Sequence, residues 1–275
     1  AYRLLVVAHP DDETIFFAGV IQSKRDLPWH LVCLTDGNAD GRGKERHLEL
    51  LAAAKLLGIR SVDQWAYPDT FPNRLPVDEI AARLRALPSP REVYAHGPLG
   101  EYGHPHHQDA CLAAHRAFPR LKIFSPAWNC EADFVIKLTR AQFRKKTRAF
   151  AEIYAKETSR FLNILPNMPV EGFRRFRSEE VEALTGFMRR ERSLEAKSLR
   201  DTGWAAGVLP ALREVKPQCP ALRRILVVGE CPVDCDELPW LEALQAEEAR
   251  FRPVATQADD PAILIYTSGT TGNPK

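Results

Sequence analysis

Short apolar runs alternate with stretches of helical periodicity along the first 120 or so residues. Arg3–Ala8 is an apolar run of strand length, and Trp29–Thr35, Val62–Tyr67 and Glu92–His96 have the same character. Between them, Thr14–Lys24 places Phe16, Phe17, Val20 and Ile21 at helical spacing, with Thr14 as an early cap. Gly43–Leu57 repeats the pattern with Leu48, Leu51, Ala52 and Leu56 before Gly58 stops it. Val77–Ala86 predicts a further helix, and Gln108–Phe118 another. Alternating strands and helices predict an α/β fold: Rossmann-like, with a mostly parallel sheet and helices on both faces. In such sheets ligands gather beyond the carboxyl ends of the strands, so any ligand or metal site is expected there.

Beyond Ala127 the texture changes. Thr139–Leu162 predicts one helix, with Phe143, Phe150, Tyr154 and Phe161 on one side and many basic residues elsewhere. Its basic side is expected to be the solvated face of a helix covering the sheet. Arg174-Arg175-Phe176-Arg177 is a short basic cluster that either faces water or meets an acidic substrate group. Glu179–Leu199 predicts another charged helix, and Asp201-Thr202-Gly203 a break. The expected division is residues 1–203 as one domain and 204–275 as a second segment.

Composition narrows the class. The 275 residues are 45% apolar and 27% charged, with a formal net charge of +2, so neither nucleic acid nor a membrane surface is expected as a partner. No apolar run approaches the eighteen or so residues that a membrane helix needs. No secretory leader is visible at the start, which makes the cytoplasm the expected compartment. The six cysteines are scattered without C-x-x-C spacing, and reduced thiols are expected.

Two polar clusters follow predicted strands. The first is His9-Pro10-Asp11-Asp12-Glu13; the second is Tyr102-Gly103-His104-Pro105-His106-His107-Gln108-Asp109. Catalytic zinc typically keeps three protein ligands and one open position. His9 and Asp12, three apart on the turn after a strand, can face a common point while Asp11 points elsewhere. Taken alone, His9 reads as structural, and Asp11-Asp12 as a helix cap with Glu13 favouring the helix dipole. Asp36 and Asp69 also sit just past strand ends and are candidates to line the same rim. His30, His47, His96 and His115 have no motif support and are expected to be structural. Gly37–Gly43 is glycine-rich but lacks G-x-G-x-x-G spacing, and predicts a rim loop rather than a dinucleotide site.

These clusters resemble the PIG-L/LmbE family of zinc-dependent N-acetylsugar deacetylases, whose hallmark is a His-Pro-Asp-Asp-Glu segment followed by a His-Pro-Asp-His segment. The first is intact at His9 to Glu13; the second reads His104-Pro105-His106-His107, with His106 in place of the family aspartate. Thr35-Asp36-Gly37, Arg46, Glu49 and Leu57-Gly58 are lesser marks of the same resemblance, which covers roughly the first 200 residues. It implies His9, Asp12 and His107 as ligands of Zn²⁺ (or another divalent metal such as Fe²⁺ or Co²⁺) and Asp11 as general base. His104 and Tyr102 fall at positions that stabilise the oxyanion or handle protons. His106 reads as a support for a ligand, a substrate contact or an exposed bystander; with Asp36 and Asp69 it completes the candidate substrate contacts. Zinc lowers the pKa of bound water from about 15.7 to about 7, on the order of 12 kcal/mol at about 1.36 kcal/mol per unit. No other feature visible in the chain competes with that.

The implied activity is a hydrolase that removes the N-acetyl group of an N-acetylglucosamine conjugate, a small molecule, giving free amine and acetate. The His96–Tyr102 approach and the Asp36-Gly37-Asn38 loop resemble the branch acting on glycopeptide-type antibiotics. Inositol-linked, thiol-precursor and chitobiose-type substrates stay open. From about Val208 the chain resembles an internal segment of adenylate-forming enzymes such as acyl-CoA synthetases, through Pro220–Ile225 and Tyr266–Lys275. There the Ser/Thr/Gly loop would contact ATP phosphates. Without base and acyl pockets the segment is expected to be a non-functional AMP-binding fragment. Two rival readings remain: an ATP-dependent acyl ligase, and a sugar-binding module that has lost catalysis.

Overall fold

The structure is a computed structural model and describes residues 1–71, 73–128, 130, 132–161, 168–189, 191, 216–218, 225–227 and 237–239. Four parallel strands, β1 (Arg3–Val7), β2 (Trp29–Thr35), β3 (Ser61–Tyr67) and β4 (Glu92–Ala95), fall where the apolar runs predict them. The sheet runs β3-β2-β1-β4-β5-β7-β6, where β5 (Ile123–Pro126) is parallel to β4. β7 (Val170–Arg175) is antiparallel to β5, and β6 (Phe134–Lys137) is antiparallel to β7. The α/β expectation of a mostly parallel sheet therefore holds, with two antiparallel strands at one edge.

Both faces of the central strands are closed to water, and the alternation along β1 shows how. Leu5 and Val7 join Phe16, Phe17, Val20 and Ile21 of helix α1 (Asp12–Ser23) and Leu50 and Leu57 of α2 (Gly43–Leu57) in one cluster. Leu4 and Val6 are as fully buried, and successive side chains of a strand point to opposite faces. The opposite face is where α5 (Pro105–Ala117), preceded by the single turn α4 (Gly100–Gly103), packs on β1, β4 and β5, with α3 (Val77–Arg85) and α8 (Ser178–Met188) against it. Each buried Leu, Ile or Phe contributes about 1.5–3 kcal/mol. The sheet's hydrophobic runs are thus continuous rather than alternating, as strands covered on both faces require.

Several boundaries differ from expectation for local reasons. Helix α5 starts at Pro105, three residues ahead of Gln108, because proline suits the first helical position and the His104 side chain caps the end. Thr139–Leu162 is not one helix. A capping box between Thr139 and Gln142 starts α6 (Arg140–Arg148), a π-helical turn occupies Ala149–Ile153, and α7 spans Ala155–Phe161; residue 162 lies outside the described residues. Strands β5, β6 and β7 were not expected, and Arg174 and Arg175 of the basic cluster lie on β7. Gly58 ends α2 in the left-handed conformation (φ 85°), its N–H returning to Ala54 O.

One buried polar device ties β7 to the middle of α1. The Lys146 ammonium, 1% exposed, donates to Ile15 O at 3.0 Å and to Glu171 Oε1 at 2.8 Å. The Glu171 carboxylate accepts from the N–H groups of Gly19 (2.7 Å) and Val20 (3.1 Å). Lysine and glutamate thus take the acceptor and donors that the helix ladder would otherwise pair at this point. Glycine at 19 is needed for the approach: a Cβ there would lie 2.7 Å from Glu171 Oε2 and 2.5 Å from Leu138 Cδ1.

His115 of α5 gives the fold an acid sensitivity distant from the polar clusters. Its imidazole is 2% exposed and meets the Ser178 hydroxyl at 3.2 Å, and burial, partly opposed by Glu182, drives its pKa down from 6.5 to about 4. Above about 6.5 both folded and unfolded chains carry it neutral; below that, the unfolded chain takes the proton first. Stability attributable to this residue should be complete above pH 6.5 and fall as pH drops towards 4, by on the order of 3 kcal/mol. Urea denaturation of His115→Gln and the parent chain across pH 4–7 checks this: a variant with the same acid slope would refute it.

The chain divides into one compact unit over Ala1–Ser193 and another over Leu194–Ser268. In the second, Lys216–Gln218 form a 3₁₀ turn, and β8 (Ile225–Val227) pairs in parallel with β9 (Glu237–Pro239). Tyr266–Lys275, the predicted phosphate loop, lies outside the described residues. Among the described residues no helix is long and apolar enough to cross a membrane.

Candidate metal centre

The first polar cluster forms the turn from β1 into α1. Asp11 adopts φ 107° and ψ −29°, a left-handed conformation that costs a non-glycine residue on the order of 1–3 kcal/mol. It persists because the surroundings hold it: Thr14 and Ile15 N–H donate to Asp11 O, and Asp11 N–H donates to Glu13 Oε2 at 3.1 Å. The Tyr154 hydroxyl in turn donates to Glu13 Oε1 at 3.0 Å. Burial raises the Glu13 pKa to about 7, against the Thr14 and Tyr154 hydrogen bonds that favour its charge. This twist aims Asp11 and Asp12 in different directions, as their separate candidate roles require.

Asp12 faces the second cluster. Its Oδ2 accepts from His9 N–H at 2.7 Å and lies 3.4 Å from His9 Nδ1; its Oδ1 lies 3.4 Å from His107 Nε2. His9, Asp12 and His107, all buried, each offer one ligand atom, and the three atoms lie within 4.8 Å of one another. A tetrahedral ion with bonds of about 2.0–2.1 Å separates its ligands by about 3.3 Å, close to the 3.4 Å between each imidazole nitrogen and one or the other Asp12 oxygen. The strongest sign is His107 Nε2, a wholly buried ring nitrogen with no hydrogen-bond partner. Buried polar atoms are rarely left so unless an ion or water completes them. The donor set, two imidazoles and a carboxylate, fits a divalent cation of the zinc kind.

The other nitrogen of His107 is fixed by Glu101, which sequence reasoning missed. His107 Nδ1 donates to Glu101 Oε2 at 2.7 Å, His96 Nδ1 donates to the same oxygen at 2.9 Å, and Gly97 N–H donates to Oε1 at 2.7 Å. A carboxylate behind a metal-ligating histidine sets its tautomer and leaves the opposite nitrogen bare. Glu101 itself holds φ 54°, a second strained residue at this centre. Burial opposes its charge, but His96 and His107 outweigh that and hold its pKa at about 2. His96 stacks on His107 with ring centroids 3.8 Å apart, and its Nε2 lies 3.1 Å from Asp12 Oδ2. Burial opposes protonation of His96, yet Glu101 and Asp12 raise its pKa to about 9. Asp12 is likewise held well below the usual carboxylate range, because His107 and His96 overcome its burial. The missed signal was the Gly97–Gly100 loop, which swings an acid from beyond β4 back under the centre.

The remaining candidates divide. Asp11 Oδ2 accepts from Arg46 Nη2 at 2.9 Å, and Arg46 also donates to Pro10 O. Burial raises the Asp11 pKa well above normal, partly countered by Arg46. His104 stands beside His9, with ring centroids 4.6 Å apart, and its Nδ1 accepts the N–H of His106 at 3.2 Å. Burial, reinforced by His9 and His107, drives its pKa to about 2, so the ring is neutral. With Nδ1 accepting, its proton sits on Nε2. Tyr102 is 54% exposed, with its ring edge against His107 at 5.3 Å. His106 and Asp69 reach the centre: His9 Nε2 lies 3.1 Å from His106 Nδ1 and 3.5 Å from Asp69 Oδ1. Asp36 does not meet the ligands; its carboxylate accepts the N–H groups of Asn38 (2.9 Å) and Asp69 (3.0 Å) and so braces the rim.

Comparison with known proteins agrees with this architecture. Residues 4–118 match the PIG-L family model, described as GlcNAc-PI de-N-acetylase, and residues 188–275 match that of the AMP-binding enzymes. Over 58 residues the chain is 45% identical to the N-acetylglucosaminyl-phosphatidylinositol de-N-acetylase of Saccharomyces cerevisiae, a stretch covering 19% of each protein. It is 43% identical over 67 residues to the 4-hydroxybenzoate–CoA/benzoate–CoA ligase of Rhodopseudomonas palustris, covering 24% of this chain and 12% of the ligase. Each match thus spans a fifth or less of the length of these relatives. The fold resembles that of N,N'-diacetylchitobiose deacetylase from Pyrococcus horikoshii, with a TM-score of 0.50 and 20% identity over 65% of this chain and 85% of that one. The amino-terminal region resembles the PIG-L/LmbE family, and the carboxyl-terminal segment the adenylate-forming enzymes.

Proposed function

We propose that the amino-terminal unit hydrolyses the acetamide of an N-acetylglucosamine conjugate, with a divalent cation held by His9, Asp12 and His107. The observation that carries this is the bare, buried His107 Nε2 within reach of Asp12, backed by Glu101. When bound, the cation supplies Lewis acidity and lowers the pKa of water beside it. Asp11, outside the ligand set and braced by Arg46, takes a proton from the attacking water. His104 Nε2–H donates to the carbonyl oxygen as the tetrahedral centre forms, with the Tyr102 hydroxyl as a second donor. The C–N bond breaks once the nitrogen gains a proton, returned by Asp11. The products are acetate and the free amine.

Asp69 and His106 line the centre and Asp36 braces its rim, so we place the sugar against that side. The match to the ligase spans 12% of that protein's length, and the proposal concerns the amino-terminal unit alone.

Metal analysis of the purified chain should find about one equivalent of zinc, and His107→Ala should lose cation affinity by 10-fold or more. Acetate release from N-acetylglucosaminides should accompany zinc loading. Tight sugar binding without acetate release would favour a binding module instead, and pyrophosphate release with ATP and a carboxylic acid would favour a ligase.

A further inference from the structure

His106 occupies the position where the second motif departs from the resembled family, and it is 1% exposed rather than a bystander. Its two ring nitrogens have different neighbours. Nε2 lies 2.9 Å from the backbone oxygen of Asn73, and Nδ1 lies 3.1 Å from His9 Nε2. A carbonyl oxygen can only accept, so the His106 proton resides on Nε2, and a neutral imidazole then has a bare Nδ1. Facing that bare nitrogen, His9 Nε2 must be the donor. A neutral His9 with its proton on Nε2 presents a bare Nδ1, the atom 3.4 Å from Asp12 Oδ2. The chain of donors is therefore directional: His9 to His106 to the Asn73 carbonyl.

We propose that His106 is a positioning residue that selects the metal-binding tautomer of His9. Asp69 also lies near His9 Nε2, but its Oδ1 stands 3.5 Å from that nitrogen and 3.6 Å from His106 Nδ1, longer than the imidazole contact. The two ligating histidines are thus set from behind by different means: His107 by the Glu101 carboxylate, His9 by a second imidazole anchored to the backbone. His106 can do this because it sits on the first turn of α5, with its own N–H taken by the His104 cap. One short segment, His104 to His107, then carries an oxyanion donor, a tautomer selector and a ligand.

This inference rests on the proposed cation site, and two measurements separate their failures. The first is the ¹⁵N spectrum of histidine-labelled, chelator-stripped chain, which reports the tautomer of His9 with no metal present. His9 should be protonated on Nε2 in the parent chain, and should lose that preference in His106→Leu. The second is cobalt(II) titration of the parent, His106→Leu and His106→Asn, followed by the cobalt absorption bands. His106→Leu removes the acceptor and should weaken binding by about 10- to 100-fold. His106→Asn keeps an oxygen near the Nδ1 position and should stay within about threefold of the parent. Should the leucine variant fail to fold, the parent spectrum and the asparagine variant decide alone.

A His9 protonated on Nδ1 in the parent chain would overturn the proposal, as would equal losses in the leucine and asparagine variants. A second cobalt equivalent that vanishes in His106→Leu would overturn it too, by making His106 a ligand. A parent chain that binds no cobalt would instead sink the proposed metal centre, while the tautomer spectrum still tests His106.

Discussion

Asp11→Asn should hold its cation about as tightly as the parent chain and release acetate about 10²- to 10⁴-fold more slowly, the usual range for a lost general base. The separation of these effects follows from the turn. Asp11 is directed by its left-handed backbone towards Arg46, whereas Asp12 faces His9 and His107. Asparagine is among the few side chains that tolerate this backbone region, and its amide oxygen can still accept from Arg46. The variant therefore removes the basic oxygen while keeping the shape. Cobalt titration beside a steady-state acetate assay measures both, and an unchanged rate would show that the base lies elsewhere.

A second large effect concerns stability. Glu171→Ala should destabilise the amino-terminal unit by about 3–5 kcal/mol, the range for removing one member of a buried ion pair. It strands the Lys146 ammonium, which is 1% exposed, and leaves the N–H groups of Gly19 and Val20 without their acceptor. Lys146→Met should cost less, because the carboxylate retains both backbone donors and methionine fills much of the lysine volume. Domain stabilities are commonly about 5–15 kcal/mol, so the alanine variant should unfold at clearly lower urea concentration. Equal midpoints for Glu171→Ala and the parent would show that the pair contributes nothing net.

Much of this architecture was legible from residue order. Strands β1, β2 and β4 are largely buried, so each is a nearly unbroken apolar run, whereas β3 at the sheet edge mixes exposed and half-buried positions. The intervening helices carry their own periodicity, although Leu48 and Leu51 of α2 face water instead of the core. Strands β5, β6 and β7 escaped notice because they are four to six residues long and lie towards the antiparallel edge. There an inward Phe134 and Phe173 alternate with an exposed Val135 and charged Arg174 and Arg175. The interrupted helix after Thr139 was illegible too, since a π-helical turn leaves no mark in apolar spacing.

At the proposed centre, sequence alone supplied the candidate residues and their order: a strand emptying into His9, Asp11 and Asp12, and a second cluster that contains His107. Those are short-range facts, because the residues of each cluster are neighbours in the chain and the turn between them is built locally. Only the tertiary structure brought His107 to Asp12, placed Glu101 and His96 behind it, and set His106 against His9. Those pairings join residues as many as 97 apart, and they depend on the parallel order of β1 beside β4, which carries the two loops to the same edge of the sheet. Hydrophobic burial chooses that strand order. The protonation and tautomer of each polar group then follow from the neighbours it acquires.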